Sequence, residues 1–191
     1  MIILKQEIIK QKRLKYSDMK GDKVYLRILE KTDIHLTQKW INDSVISEIM
    51  GYLPVLSFEN QLEWYDSIKN DKTRYVFAIC RIDNDKHIGN VGLGNIDYIN
   101  RHCMFNIFIA TNDNRSGGMG SESTRLILNF AFERLNLNKV FLQTSERFLQ
   151  ANKMYLKLGF QIDGVLREHY YSNRSYENKL VYSILKREFY G

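Results

Sequence analysis

Several things are scarce in this 191-residue chain, and each shortage closes off a class of protein. One proline, Pro54, argues against long irregular linkers. The two cysteines, Cys80 and Cys103, stand inside apolar strand-like runs with no CxxC partner. They read as reduced core residues, which sets an intracellular expectation rather than a disulfide framework. Four histidines, His35, His87, His102 and His169, are scattered without ligand spacing, so no metal is expected. No apolar run approaches the ~20 residues of a membrane span, and the N-terminus reaches charge at Lys5, too early for a signal peptide. A cytoplasmic protein with no membrane partner is the expectation. Ser-His-Asp chemistry lacks a nucleophile elbow.

Positive charge is present but uneven. The net charge is +6, and residues 1–23 hold seven Lys or Arg against three Asp or Glu, leaving +2 for the rest. A nucleic-acid partner is therefore not indicated. The division expected is a basic extension over 1–21 and one domain over 22–191. Within the extension, Leu4, Ile8, Gln11 and Leu14 could line one side of a helix, and a solvated tail fits the same residues.

From residue 22 the hydrophobic pattern is firmer. Residues 24–28 alternate as a strand, and Thr32 or Asp33 can cap a helix carrying Ile34, Thr37, Trp40 and Ile41. Residues 42–56 read as a loop with a short helical piece at 46–50. Ser57 then caps a helix whose Phe58, Leu62, Tyr65 and Ile68 share a face. Three strands follow at 75–82, 87–96 and 102–111. After a further helix come a strand at 139–144 and a helix at 150–158 with Ala151, Met154, Tyr155 and Leu158 on one face, stopped by Gly159. Two long strands, 160–171 and 178–187, close the chain.

The chemistry centres on residues 114–121, Asn-Arg-Ser-Gly-Gly-Met-Gly-Ser. They follow the β-branched run 105–111 and open a helix in which Ile127, Ala131 and Leu135, and likewise Leu128 and Phe132, recur at four-residue steps. Glycines 117, 118 and 120 permit close backbone approach, and the first N–H groups of the helix lack internal partners and carry the positive end of its dipole. Such a turn can cradle a phosphate. A P-loop needs Gly-Lys-Ser/Thr, but Gly120 is followed by Ser121 and Glu122. A dinucleotide fingerprint needs a third glycine where Ser123 stands. What remains is Arg115-x-x-Gly118-x-Gly120, or a plain surface turn.

Arg115-x-x-Gly118-x-Gly120 resembles the acyl-CoA pyrophosphate loop of the GNAT N-acetyltransferase superfamily. Residues 129–140 (NFAFERLNLNKV) and 151–160 (ANKMYLKLGF) resemble the branch containing ribosomal-protein N-terminal and spermidine N-acetyltransferases, and 164–167 with 176–188 continue the likeness. Residues 40–43 (WIND) and 61–64 (QLEW) are similar to acetyltransferases of nucleotide-linked amino sugars. The order β-α-α-β-β-β-α-β-α-β-β matches too. The resemblance implies a fold of the α/β (α+β) class: a central mixed, mostly antiparallel sheet of six to seven strands, splayed at a V-shaped acetyl-CoA cleft and flanked by about four helices.

It also implies roles. Acetyl-CoA would be the acyl donor, gripped by Arg115, Ser116, Gly117, Gly118, Met119, Gly120 and Ser121, with pantetheine along Ile107, Phe108 and Ile109 and Asn152 as an auxiliary contact. Tyr155 would be the general acid, a phenol that stays protonated at neutral pH. Two departures stand out: Met104 replaces the glutamate many relatives carry, and Phe148 replaces a cofactor-holding asparagine. Asp97 is then the candidate base, acting through water, although an aspartate before a turn is commonly a turn former; Glu48 and His35 are weaker candidates. The implied reaction is direct attack in a ternary complex on the amine of a nucleotide-linked amino sugar or a polyamine. Ribosomal-protein or peptide α-amines are the alternative acceptors, a CoA-binding sensor is the alternative of another class, and a homodimer is compatible with the resemblance.

Overall fold

The computed structural model describes residues 19–50, 55–110, 117–172 and 174–191. In chain order the elements are β1 (Val24–Ile28), α1 (Ile34–Ile41), α2 (Ser44–Met50), α3 (Phe58–Lys69), β2 (Tyr75–Arg81), β3 (His87–Asp97), β4 (His102–Ile109), α4 (Met119–Asn129), β5 (Lys139–Ser145), α5 (Leu149–Lys157), β6 (Gln161–Ser172), β7 (Ser175–Leu185) and α6 (Lys186–Tyr190). The strands form one open sheet in the order β1-β2-β3-β4-β5-β7-β6. All neighbours are antiparallel except β4 and β5.

Strand side chains alternate between the two faces of the sheet, and the sequence fills both with apolar groups. Val24, Leu26, Phe77 and Ile79 belong to the large core with Ile127 and Leu128 of α4 and Tyr155 of α5. Cys80 and Ala78 belong to a smaller core, where Tyr25 and Val76 pack with Phe58, Leu62 and Tyr65 of α3. One face thus carries α4 and α5, the other α1 to α3. Ile127, Leu128 and Phe132 are completely buried, each stabilising the fold by roughly 1.5–3 kcal/mol. Both cysteines are buried and unpaired, as expected.

The helix on α1 is held differently from the expectation. A short 3-10 turn, Lys31–Asp33, precedes it, and the Asp33 side chain makes no cap bond to α1. Instead Asp33 accepts from Arg27 Nη1 and Nη2 at 2.6 and 2.8 Å and from the Glu30 N–H at 2.8 Å. Burial alone would raise this carboxyl; the Arg27 guanidinium, His87 and the Glu30 amide bring it far below the usual carboxylate range. The Ser57 cap is present, with Asn60 N–H donating to Ser57 Oγ at 3.1 Å.

Other differences are local. Six α-helices are present among the described residues, not about four, because 44–50 forms a full two-turn helix and the chain ends helically at 186–190. Asp43 accounts for the first, its Oδ1 accepting from the Val45 and Ile46 amides; Glu188 accounts for the second, its carboxylate accepting from the Leu185 N–H. β7 begins at Ser175, three residues before the expected start, since Ser175 pairs with Ser172 of β6. After α4 the chain widens into a π-helical segment, Phe130–Arg134, that sets Phe130 edge-on to Tyr75 and Phe77.

Candidate active site

The site begins where two strands part. β4 and β5 pair only at His102, Cys103 and Met104 with Lys139, Val140 and Phe141, yet β4 runs on to Ile109 and β5 to Ser145. The Ala110 N–H donates to the Ile88 carbonyl, and the β3–β4 register then turns the Ile107 and Ile109 peptide groups toward the β5 side. Beyond Met104 the β4–β5 ladder does not continue among the described residues.

A cavity of about 820 Å3 lies there. Its walls are the β4 run 104–109, Leu142 to Thr144 of β5, Gly118, Gly120 and Ser121 at the start of α4, residues 147–151, and Met154 and Tyr155 of α5. Ile49 and Met50 of α2 and Lys179 of β7 close it on the other face. Strand alternation divides the lining. Phe105, Ile107 and Ile109 belong with the α4–α5 core, while Phe108 meets Trp40 of α1 edge-on at 6.0 Å. Met104, Asn106 and Phe108 therefore face α1 and α2, as do Gln143 of β5 and Lys179 of β7 by register.

The turn into α4 is shaped for close approach. Gly118 is the N-cap with φ +77°, a left-handed conformation that side chains resist. The Glu122 N–H returns to the Gly118 carbonyl at 3.0 Å, so the Met119, Gly120 and Ser121 N–H groups are those an α-helix leaves unpaired at its start. The Glu122 carboxylate accepts from the amides of Asp22, Lys23 and Val24 at 2.6, 2.9 and 3.0 Å. Lys23 Nζ donates to the Gly117 carbonyl at 2.9 Å. The start of β1, 99 residues away in sequence, thus clamps the glycine turn.

Tyr155 lies on the cavity wall with its ring buried against Phe105, Phe160 and Tyr182, centroids 6.3, 5.7 and 5.9 Å apart. Among the described residues its hydroxyl has no hydrogen-bond partner. Burial, with a smaller contribution from Tyr182, pushes its pKa well above the usual phenol value. The proton is therefore retained throughout the neutral range.

Not every expected residue gathers here. Arg115 and Ser116 lie outside the described residues. Gly117 borders the turn without lining the cavity, and the Met119 side chain is turned into the core. Asn152 is a correction: its Nδ2 donates to the Ser145 and Glu146 carbonyls, both at 3.1 Å, so it braces the β5–α5 connection from within. Asp97 is another. Its Oδ1 accepts from the Ile99 and Asn100 amides at 2.9 and 2.7 Å, and Oδ2 from Asn100 Nδ2 at 2.7 Å. Those bonds hold its pKa below the usual carboxylate value, and it does not line the cavity. It forms the β3–β4 turn. His35 stacks on Phe58 at 4.0 Å, away from the cavity.

Of the residues that build the second face, the sequence singled out 40–43 and Glu48 for other reasons and missed Arg147 and Glu177. Asn42 accepts from the Val55 and Leu56 amides and donates to the Leu56 carbonyl, while Asp43 caps α2. Asn42 and Asp43 thus brace the α1–α2 side of the cavity. Arg147 lines the cavity between Glu48 of α2 and Glu177 of β7. Its only sequence signal was an arginine just before a helix. Among the described residues no group of three or more His, Cys, Asp and Glu side chains is arranged to hold a metal ion, and no helix is long and apolar enough to cross a membrane.

Comparison with known proteins agrees with this geometry. Residues 23–161 match the family described as acetyltransferase (GNAT) domain, and the chain belongs to that family of acyltransferases. It is 26% identical to the spermidine N(1)-acetyltransferase of Escherichia coli (strain K12) over 166 residues, 87% of this chain and 88% of that protein. The enzyme of the same name from Vibrio cholerae is 28% identical over 165 residues, 86% and 94% of the two chains. A crystal structure of spermidine N-acetyltransferase from Vibrio cholerae in complex with CoA and spermine superposes with a TM-score of 0.83 at 26% identity, covering 88% of this chain and 98% of that one.

Proposed function

We propose that the protein transfers an acetyl group from acetyl-CoA to a primary amine of a small molecule, with a polyamine as the acceptor class that its relatives support. The observation that carries the reading is the parting of β4 from β5 beside the start of α4, with Tyr155 on the wall between them. The amide groups of Met119, Gly120 and Ser121 suit the pyrophosphate, and Gly118 lets it come close. The edge of β4 at Ile107 suits a pantetheine amide. A β4 N–H on that edge can stabilise the charge that builds on the carbonyl oxygen.

The amine nitrogen forms its bond to the carbonyl carbon as the C–S bond breaks; the Tyr155 phenol gives its proton to the departing sulfur and regains one from the nitrogen, which sheds it in becoming the amide. No carboxylate lines the cavity among the described residues. The amine therefore loses its proton to water, and the rate should climb with pH until the amine is mostly neutral. No step calls on a metal. The protein would work where acetyl-CoA is made, in the cytoplasm.

A second acceptor class draws support from the lining itself. Asn106, Gln143 and Lys179 face the acceptor side, and Lys179 has no carboxylate partner among the described residues. Amides and an unpaired ammonium suit hydroxyls and a phosphate, as in a nucleotide-linked amino sugar. Thiol release from acetyl-CoA across spermidine, spermine, nucleotide-linked amino sugars and N-terminal peptides tests both. Release with polyamines alone selects the first class, release with amino sugars alone the second, and no release with any amine refutes the acetyltransferase reading of this cavity.

A further inference from the structure

At the acceptor end of the cleft the protein places one of its own cations between two carboxylates and two aromatic rings. Arg147 Nη2 pairs with Glu48 Oε1 of α2, and Nε stands 3.2 Å from Glu177 Oε2 of β7. Its guanidinium carbon is 5.0 Å from the Phe148 ring centroid and 5.9 Å from that of Tyr170. Paired carboxylates beside aromatic faces are the surroundings that hold an alkylammonium ion.

The corner is preorganised. Ser172 Oγ donates to Glu48 Oε1 at 2.8 Å, Ser145 Oγ to Glu177 Oε2 at 2.6 Å, and the Tyr170 hydroxyl to the Glu48 carbonyl at 2.5 Å. The carboxylates would keep their places if the guanidinium left. Lys179 Nζ is 5.7 Å from the Tyr170 centroid. Arg147 itself lines the cavity.

We propose that Arg147 is a specificity-determining residue: its guanidinium occupies the subsite that the distal ammonium of a polyamine would fill. This rests on the amine-acceptor reading and goes beyond it. The native cleft then takes the reacting amine but leaves the far charge of a polyamine without a partner. Removing the guanidinium opens the subsite, and Glu48 and Glu177 supply its charge.

The test compares native protein, Arg147→Ala, Arg147→Gln and Arg147→Ala/Glu177→Gln, with acetyl-CoA as donor and spermine or propylamine as acceptor. Both single variants should lower the KM for spermine about tenfold, leave the KM for propylamine and acetyl-CoA within about twofold, and the double variant should return spermine toward the native value. A spermine KM that rises or stays unchanged in both single variants overturns the proposal, as does a gain that Glu177→Gln leaves intact. Thermal unfolding and acetyl-CoA titration show that each variant is folded. Calorimetric binding of spermine to native and Arg147→Ala protein in the presence of CoA reads the subsite without turnover. A protein that releases no thiol with any amine refutes the proposed reaction, while the binding difference still decides the subsite.

Discussion

The two walls of the cleft are built by different means. On the α4–α5 side the wall is backbone and apolar surface: the edge of β4, the helix start at Gly118 to Ser121, and a tyrosine ring packed on Phe105 and Phe160. On the α1–α2 side Ile49, Met50, Met104 and Phe108 line the cleft beside Asn106, Gln143, Arg147 and Lys179, and behind them polar side chains reach across the sequence, Glu48 to Tyr170 and Ser172, Asn42 to Leu56, Arg147 to Glu177. Backbone geometry recognises what every acyl-CoA shares. Side-chain geometry can be changed residue by residue, so the first wall suits an unchanging donor and the second an acceptor that differs between relatives.

The sharpest way to break this comparison is Tyr155→Phe. A general acid on the donor wall should cost about 10^2–10^4 in kcat, with acetyl-CoA affinity by titration within about twofold of native. Its hydroxyl has no partner among the described residues, so the melting temperature should change little. Retained turnover would remove Tyr155 from the chemistry.

Next comes the support behind the acceptor wall. Asp33→Asn leaves Arg27 without its carboxylate beside α1 and should destabilise the fold by about 1.5–3 kcal/mol in urea unfolding at pH 7. The sign with pH follows from its depressed folded pKa. The stabilisation is present above the unfolded value of about 4 and is lost as pH falls below it. The variant should therefore be less stable than the native protein at neutral pH, and the gap should close only as pH falls through that depressed folded value. At the other extreme, Tyr155 has a raised folded pKa. Its contribution is present below the unfolded value of about 10 and is lost as pH rises above it, a limb that Tyr155→Phe should weaken.

Gly118→Ala has the smallest expected effect. An alanine at φ +77° carries strain of about 1–2 kcal/mol. If the turn yields to relieve it, acetyl-CoA binding should weaken about tenfold while amine KM stays constant. Equal loss of donor and acceptor binding would show that the two walls are not separable.

Much of this was legible in the sequence. The β4 run, the glycine turn and the four-residue periodicity of α4 are local patterns, as is the Ala151, Met154, Tyr155, Leu158 face of α5; β4 to Ile109, the turn from Gly117 on, α4 to Asn129 and that face appear where the pattern placed them. Asp97 and Asn152 were misread because a polar side chain near a site can serve the backbone instead, and only the partners decide. Asp97 found three donors in its own turn, and Asn152 found two carbonyls of the preceding connection.

The sequence by itself determined most of the elements and the turn into α4, because helix and strand periodicity, a helix start and a positive φ at glycine are properties of neighbouring residues. Only the tertiary structure decided the acceptor wall. Which charges meet at Arg147 depends on α2 coming against a hairpin more than 120 residues away, and no spacing along the chain encodes that meeting.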